Sequence, residues 1–157
     1  MSKRYVAPDP AAISKLLGII FGEDIVVSEN SSADLSNKHI ATFIDREDEL
    51  VALCACDKPC VGYSGGALSM IPVGAVEDML ADGEISEALQ GNFYEVMNIC
   101  SKLMMSDSSD HLRLDKTMTD DAISDDIVAL SESASTHVGF TLDIPQYGKG
   151  TIDFFIA

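Results

Sequence analysis

Residues 87–105 form the longest stretch of this sequence in which apolar residues recur at helical spacing. At about 100° of rotation per residue, seven apolar side chains fall on one wide face of the predicted helix. These are Leu89, Phe93, Val96, Met97, Cys100, Leu103 and Met104. Ser86 is a suitable N-cap for this helix. Because such a face must be buried against other structure, the chain needs a second layer to cover it.

Several other segments predict that this second layer is a β-sheet. Strands at 39–44 and 50–56 flank the acidic link 45–49, which is typical of a hairpin. Two further strands, 136–144 and 151–156, flank a turn that contains proline and glycine. The 157 residues therefore predict one α+β domain over 1–157, with a largely antiparallel sheet covered by helices.

The N-terminal part adds a helix and a short strand to this architecture. Asp9 is a good N-cap, Pro10 suits the first helical position, and Gly22 is a typical helix stop. Residues 24–29 are predicted to form a short strand. Alternating apolar residues near 112–116 indicate an edge strand later in the chain.

Two segments give weaker patterns. We predict a turn at 57–59, then a glycine-rich strand at 61–70, and then a short helix at 73–81 that Pro72 opens. The acidic segment after the edge strand is ambiguous, and a strand is possible at 127–130.

The charge balance restricts the partners. Acidic residues outnumber basic ones 26 to 10, and the net charge is −16. A nucleic-acid backbone and an anionic membrane surface would both repel such a chain, so neither partner is expected. No apolar run approaches the roughly 20 residues that span a bilayer. The basic start, Met1–Tyr5, is not followed by an apolar signal core, so we expect a cytoplasmic protein.

The cysteines are interpreted as buried, reduced thiols. Cys54 and Cys56 are two residues apart in a predicted strand and therefore point to one face, and Cys60 follows closely. No second pair of ligands with zinc-site spacing follows them, so a metal site is not predicted.

Three further patterns suggest chemistry less strongly. Gly62, Ser64 and Gly66 fit a nucleophile-elbow pattern, but that turn needs a helix directly after it and a β-like segment follows. The glycines are more typical of a bulge or a close approach of the backbone. The aspartates within 107–126 lack calcium-loop spacing and predict a solvated acidic edge. The histidines show no paired spacing: His39, His111 and His137.

The polar side of the long helix carries the most informative pattern. Gly91, Glu95, Asn98 and Lys102 lie opposite the apolar face. Glu95 and Asn98 are three residues apart and are therefore neighbours on the helix surface. A carboxylate in this position can pair with a lysine of another protein. A carboxamide beside it can hold a water molecule through its donor and acceptor groups.

The segment Glu95-Val96-Met97-Asn98 on such a helix resembles the Glu-x-x-Asn motif of the CheC/CheX/FliY phosphatases of bacterial chemotaxis. The order of predicted elements is similar over most of the chain. The first helix carries Ile13-Ser14-Lys15-Leu16 and no second motif, so the likeness is to the single-site CheX. It implies a CheC-like sheet covered by the motif helix, a short helix and the N-terminal helix.

The resemblance also implies an activity. Members of this family hydrolyse the phospho-aspartate of a response-regulator receiver domain such as CheY. Asn98 would orient the attacking water, and Glu95 would bind the receiver's lysine. Gly91 and Lys102, on the same helix side, are expected to contact the partner. The receiver supplies Mg²⁺, so no cofactor of the chain's own is expected.

The sequence departs from the family pattern in places. Gly91 stands where the pattern has Asp or Ser, and Asp120 and Asp121 stand where a proline is expected. Tyr94 and Met97 are bulkier than the residues usual there. The alternative is a catalytically inactive CheC-like binding or assembly module in chemotaxis or two-component signalling. Homodimerisation through an exposed strand edge is also compatible with the sequence.

Overall fold

A computed structural model describes residues 5–157. The described chain contains five α-helices, and these are α1 (Pro10–Phe21), α2 (Lys58–Leu68), α3 (Val73–Asp82), α4 (Glu87–Cys100) and α5 (Asp125–Ser133). It also contains six strands, and these are β1 (Val26–Glu29), β2 (His39–Ile44), β3 (Leu50–Cys56), β4 (Arg113–Thr119), β5 (Thr136–Ile144) and β6 (Gly148–Ile156). Short 3₁₀ helices follow α4 at Ser101–Met104 and β4 at Asp120–Ala122. The predicted α+β class is confirmed.

The six strands form one sheet in the order β1-β5-β6-β3-β2-β4, and every neighbouring pair is antiparallel. If β1, β2 and β3 exchange places with β4, β5 and β6, respectively, the strand order is the same when it is read from the opposite edge of the sheet. The sheet therefore has an approximate two-fold symmetry of topology, centred between β3 and β6. α1 precedes β1 as α4 precedes β4, so these two helices occupy corresponding places in the two halves.

The sheet has a core on each face. The larger core contains buried residues of α1, α2 and α4, and the smaller one is closed by Ile127 and Leu130 of α5. Alternate residues of β3 serve the two cores. Cys54 belongs to the larger core and Leu53 to the smaller one, as the two-residue period of a strand requires.

Most predicted elements are confirmed. Asp9 caps α1, with its Oδ1 accepting a hydrogen bond from the Ala12 N–H at 2.7 Å, and Gly22 ends the helix at a φ of 84°. Ser86 caps α4 by accepting from the Leu89 N–H at 3.2 Å. The regular part of this helix ends at Cys100, because the following turn tightens into the 3₁₀ helix.

The predicted turn at 57–59 and the predicted strand at 61–70 are wrong. Residues 58–68 form helix α2, and Asp57 is its N-cap. The Asp57 carboxylate caps that helix by accepting from the Cys60 N–H at 2.8 Å. The glycines do allow close approach of the backbone, but the approach is between helices and not within a sheet. A Cβ at Gly66 would lie 2.6 Å from Cγ2 of Val76, and one at Gly65 would lie 3.2 Å from the Leu89 carbonyl oxygen. These contacts outweigh the poor helix propensity of glycine.

The possible strand at 127–130 is also wrong, because these residues lie in α5. The apolar run contains no polar residue to set its period, so sequence spacing does not separate a strand from a buried helix turn. Asp125 and Asp126 lie in the first turn, where acidic side chains are favoured by the helix dipole. None of the helices between residues 5 and 157 has the length and apolar character needed to cross a bilayer.

Candidate functional site

Helix α4 is fixed on the protein by its buried face and by one polar side chain. All seven residues predicted for its apolar face, including those of the 3₁₀ extension, are buried. On the border of that face, Nδ2 of Asn92 donates to the Gly65 carbonyl oxygen at 2.8 Å and contacts Oγ of Ser69 at 2.7 Å. Asn92 thus joins α4 to the end of α2, and sequence reasoning missed this role.

The opposite side of the helix faces solvent as predicted. Gly91, Glu95, Asn98 and Lys102 are all exposed, and we call these four residues the α4 ridge. A Cβ built at Gly91 would have no heavy atom within 4 Å, so the ridge is open at this end. The structure therefore brings together all four residues of the predicted site.

The two motif side chains have their polar groups available. Within the described part of the chain, the Glu95 carboxylate and the Asn98 amide make no hydrogen bond or ion pair. Only the backbone of Asn98 is engaged, its carbonyl oxygen accepting from Oγ of Ser101 at 2.7 Å. Residues spaced by three on a helix have Cβ atoms about 5–6 Å apart, so one partner group can meet both side chains.

This arrangement suits action on another molecule. The carboxylate offers only acceptors, whereas the carboxamide offers an acceptor and donors. Neither group lies in a closed cavity, so a substrate would have to bring its own enclosing surface. A partner protein with a recessed reactive group meets that requirement, because the helix can be inserted against the recess.

The buried thiols are not part of this site. Cys54, Cys56, Cys60 and Cys100 are all buried and none forms a disulfide, which confirms the prediction that they are core residues. Burial raises the pKa of the Cys54 and Cys56 thiols, and it raises that of Cys100 to about 12. Thiols in this state are poor nucleophiles. Over residues 5–157, no group of three metal-binding side chains has a geometry that could hold a metal ion.

Ser64 is likewise excluded as a nucleophile. It lies buried within α2, and its hydroxyl donates to the Cys60 carbonyl oxygen at 2.6 Å. A nucleophile elbow needs its serine at the turn between strand and helix, whereas Ser64 lies in the middle of α2, well after the end of β3.

His137 and Asp153 form a polar pair that the sequence did not reveal. Nε2 of His137 lies 3.2 Å from Oδ1 of Asp153, and the imidazole stacks on Phe155 with a centroid distance of 4.2 Å. Oδ1 of Asp153 also accepts from the Ser32 N–H at 3.0 Å. Burial raises the pKa of the Asp153 carboxyl. These bonds hold the loop after β1 against the sheet, which is a structural role. A pairing across strands has no local sequence signal.

Comparisons with known proteins find similar folds among solved structures. No protein-family model and no curated protein sequence matches the chain. Among solved structures, the FliM–SpeE complex from H. pylori matches with a TM-score of 0.62 and 8% identity, covering 94% of this chain and 80% of that chain. FliY from Thermotoga maritima matches with a TM-score of 0.57 and 16% identity, covering 92% and 81%. The FliM middle domain from H. pylori matches with a TM-score of 0.55 and 10% identity, covering 94% and 84%.

Proposed function

We propose that this chain, which has the fold of the CheC/CheX/FliY family, docks on a response-regulator receiver domain and hydrolyses its phospho-aspartate. The observation that supports this most is the pair of exposed, unpartnered side chains Glu95 and Asn98 on the α4 ridge. A helix fixed by a buried face and by Asn92 presents them in a constant geometry. That constancy matters because phosphoryl transfer is catalysed mainly by positioning and charge stabilisation.

The proposed reaction uses one water molecule. The Asn98 amide accepts from and donates to this water, and places its oxygen in line with the phosphorus atom. The water oxygen forms a bond to phosphorus while the bond from phosphorus to the aspartate oxygen breaks. The products are inorganic phosphate and the aspartate carboxylate, and the water proton passes to the solvent or to the phosphate. Mg²⁺ would be held by the receiver, and this chain would supply no metal of its own.

Glu95 has the docking role in this proposal. Its carboxylate would pair with the lysine of the receiver's phosphorylation site, which fixes the register of Asn98 one helical turn away. Lys102 would contact the receiver surface farther along the ridge. Gly91 would allow close approach at the other end, since no side chain fills that space.

One departure from the family pattern lies away from the ridge. Asp120 and Asp121, at the expected proline position, lie in the 3₁₀ helix after β4. Oδ2 of Asp120 accepts from the Asn37 N–H at 2.8 Å, near the start of β2. The residues at this position therefore lie in a different element from the α4 ridge.

The test compares the decay of a phosphorylated receiver domain, with Mg²⁺, in the presence of the wild type, Asn98→Ala and Glu95→Ala. Wild type should accelerate the decay. Asn98→Ala should lower the maximal rate about 100-fold or more, because the water loses its positioning group. Glu95→Ala should raise KM about tenfold, equivalent to about 1.4 kcal/mol of binding free energy.

Lys15→Ala is the matched control, since it removes an exposed side chain from α1, the helix that corresponds to α4. It should leave both constants unchanged. The proposal fails if the wild type accelerates the decay of none of the receiver domains encoded beside its gene.

A second candidate function is a binding or assembly module without catalysis. It is favoured by the likeness to FliM, which one of the similar structures shows in a complex with SpeE. The same experiment separates the two functions. Binding of the receiver with no faster loss of phosphate would select the assembly module.

A further inference from the structure

A second candidate site lies at one end of the sheet, where β2, α2 and α4 all begin. It is a cavity of about 330 Å³ whose wall includes Lys38, His39, Lys58, Gln90, Asp120 and Asp121. None of the four ridge residues lines it. Gln90 and Glu95 are five residues apart on α4 and therefore point to nearly opposite sides of the helix. The cavity is thus separate from the α4 ridge.

The basic residues of its wall are unusual for this chain. The sequence has only 10 lysines and arginines against 26 acidic residues, yet Lys38, His39 and Lys58 all line this cavity. Lys58 makes no ion pair or hydrogen bond with any described residue. Nζ of Lys38, in contrast, donates to Oγ1 of Thr151 at 3.4 Å and its charge acts on the Asp153 carboxylate, and neither of these residues lines the cavity. The ammonium group of Lys58 is therefore the one that is available to a ligand in the cavity.

His39 adds a second potential donor to the same wall. Its half-buried imidazole packs edge-on against Phe93 with a centroid distance of 6.2 Å, and it has no hydrogen-bond partner in residues 5–157. Burial lowers the pKa of His39, the charge of Lys58 lowers it further, and Asp120 opposes both effects. An anion bound beside Lys58 would favour the protonated imidazole, which donates from both nitrogens.

The carboxylates of the cavity come from a different element. Asp120 and Asp121 lie in the 3₁₀ helix after β4, and the Asn37 N–H bond holds Asp120 in place. Carboxylates accept hydrogen bonds and repel anions. They therefore suit a ligand whose far end carries hydroxyl or amino donors, and they disfavour a ligand with a second anionic group.

We propose that this cavity binds a small phosphorylated metabolite whose phosphoryl group contacts His39 and Lys58 and whose hydroxyl or amino groups donate to Asp120 and Asp121. Ammonium groups are effective phosphate ligands. The volume lies at the lower end of the range for small-molecule sites, about 300–1,000 Å³, and exceeds what a phosphate ion alone needs. This site does not depend on the activity proposed for the α4 ridge.

The test uses glucose 6-phosphate, which joins one phosphoryl group to several hydroxyls, with inorganic phosphate and glucose as reference compounds. Binding is followed by calorimetry and by NMR of the histidine imidazoles. Glucose 6-phosphate should bind saturably, at least about tenfold more tightly than inorganic phosphate, and glucose should not bind. The pKa of His39 should rise on binding, while the NMR signals of the His111 and His137 imidazoles should not change.

Variants identify the groups responsible. Lys58→Met should weaken binding at least about tenfold and abolish the response of His39. Lys149→Met, which removes an exposed lysine elsewhere on the sheet, should change neither. Asp120→Asn should reduce the preference for glucose 6-phosphate over inorganic phosphate. Lys58→Gln serves as the second variant if thermal unfolding shows that Lys58→Met is misfolded.

Three results would overturn the proposal. The first is the lack of a saturable response at His39. The second is an equal loss of binding in Lys149→Met, which would mean nonspecific attraction to lysines. The third is equal affinity for inorganic phosphate and glucose 6-phosphate, which would exclude contacts from Asp120 and Asp121.

Discussion

Helices α1 and α4 hold corresponding places in the two halves of the sheet, but their outer faces differ. Each begins at a side-chain cap, Asp9 in one and Ser86 in the other, and each buries its inner face in the same large core. On α4 the outer face presents Glu95 and Asn98. On α1, the exposed residues include Lys15 and Ile19, and Ser14 is engaged by donating to the Ile25 carbonyl oxygen at 2.7 Å.

The comparison separates scaffold from chemistry. The two inner faces have the same role, because any well-packed apolar residues can cover the sheet. The outer faces are free of packing constraints and can carry a site in one half only. Substitutions on inner faces should therefore change stability in both helices, whereas substitutions on outer faces should change function and only in α4.

The largest expected effect comes from truncating the inner faces. Phe93→Ala in α4 should lower the free energy of unfolding by about 3–5 kcal/mol, and Leu17→Ala in α1 by about 2–5 kcal/mol, through lost burial and a residual cavity. Both residues are at most 2% exposed. Urea denaturation measures the two values. A loss below 1 kcal/mol in one helix alone would show that the halves do not share the core as described.

An intermediate effect is expected from Asn92→Ala, which acts on α4 alone. The variant leaves the Gly65 carbonyl oxygen and the Ser69 hydroxyl without this partner, and should cost about 1–3 kcal/mol in urea denaturation. Gln90→Ala is a suitable comparison, because its Nε2 bonds only the nearby Ile85 carbonyl oxygen at 3.0 Å. An equal cost in both variants would argue against Asn92 as the specific link between α2 and α4.

The smallest effect is expected on the outer faces. Glu95→Ala, Asn98→Ala and Lys15→Ala should each change the free energy of unfolding by no more than about 0.5 kcal/mol, because these side chains are exposed and lack partners among the described residues. Thermal and urea unfolding provide the measurement. A large destabilisation by Asn98→Ala would show that Asn98 has a structural role. A loss of activity in this variant would then not be evidence for a catalytic role.

The sequence predicted the ridge because exposure on a helix follows from local periodicity. The positions of Glu95 and Asn98 relative to Phe93 and Met97 require no knowledge of the rest of the chain. The Asn92 link was not predicted, because it depends on where α2 ends. The cavity beside His39 was not predicted either, since Lys58 and Asp120 are brought together only when β2 pairs with β4 and α2 starts beside them.

The sequence by itself determined the elements whose side chains repeat with a clear period: α1, α4, and the hairpins β2–β3 and β5–β6. Their signals are local, because burial of one face imposes a spacing on the residues themselves. Only the tertiary structure decided the conformation of 58–68 and 125–133. The first is rich in glycine and the second has an uninterrupted apolar run, so neither has a strong period. Contacts with α3, α4 and β3, made by residues distant in sequence, select the helix in both cases.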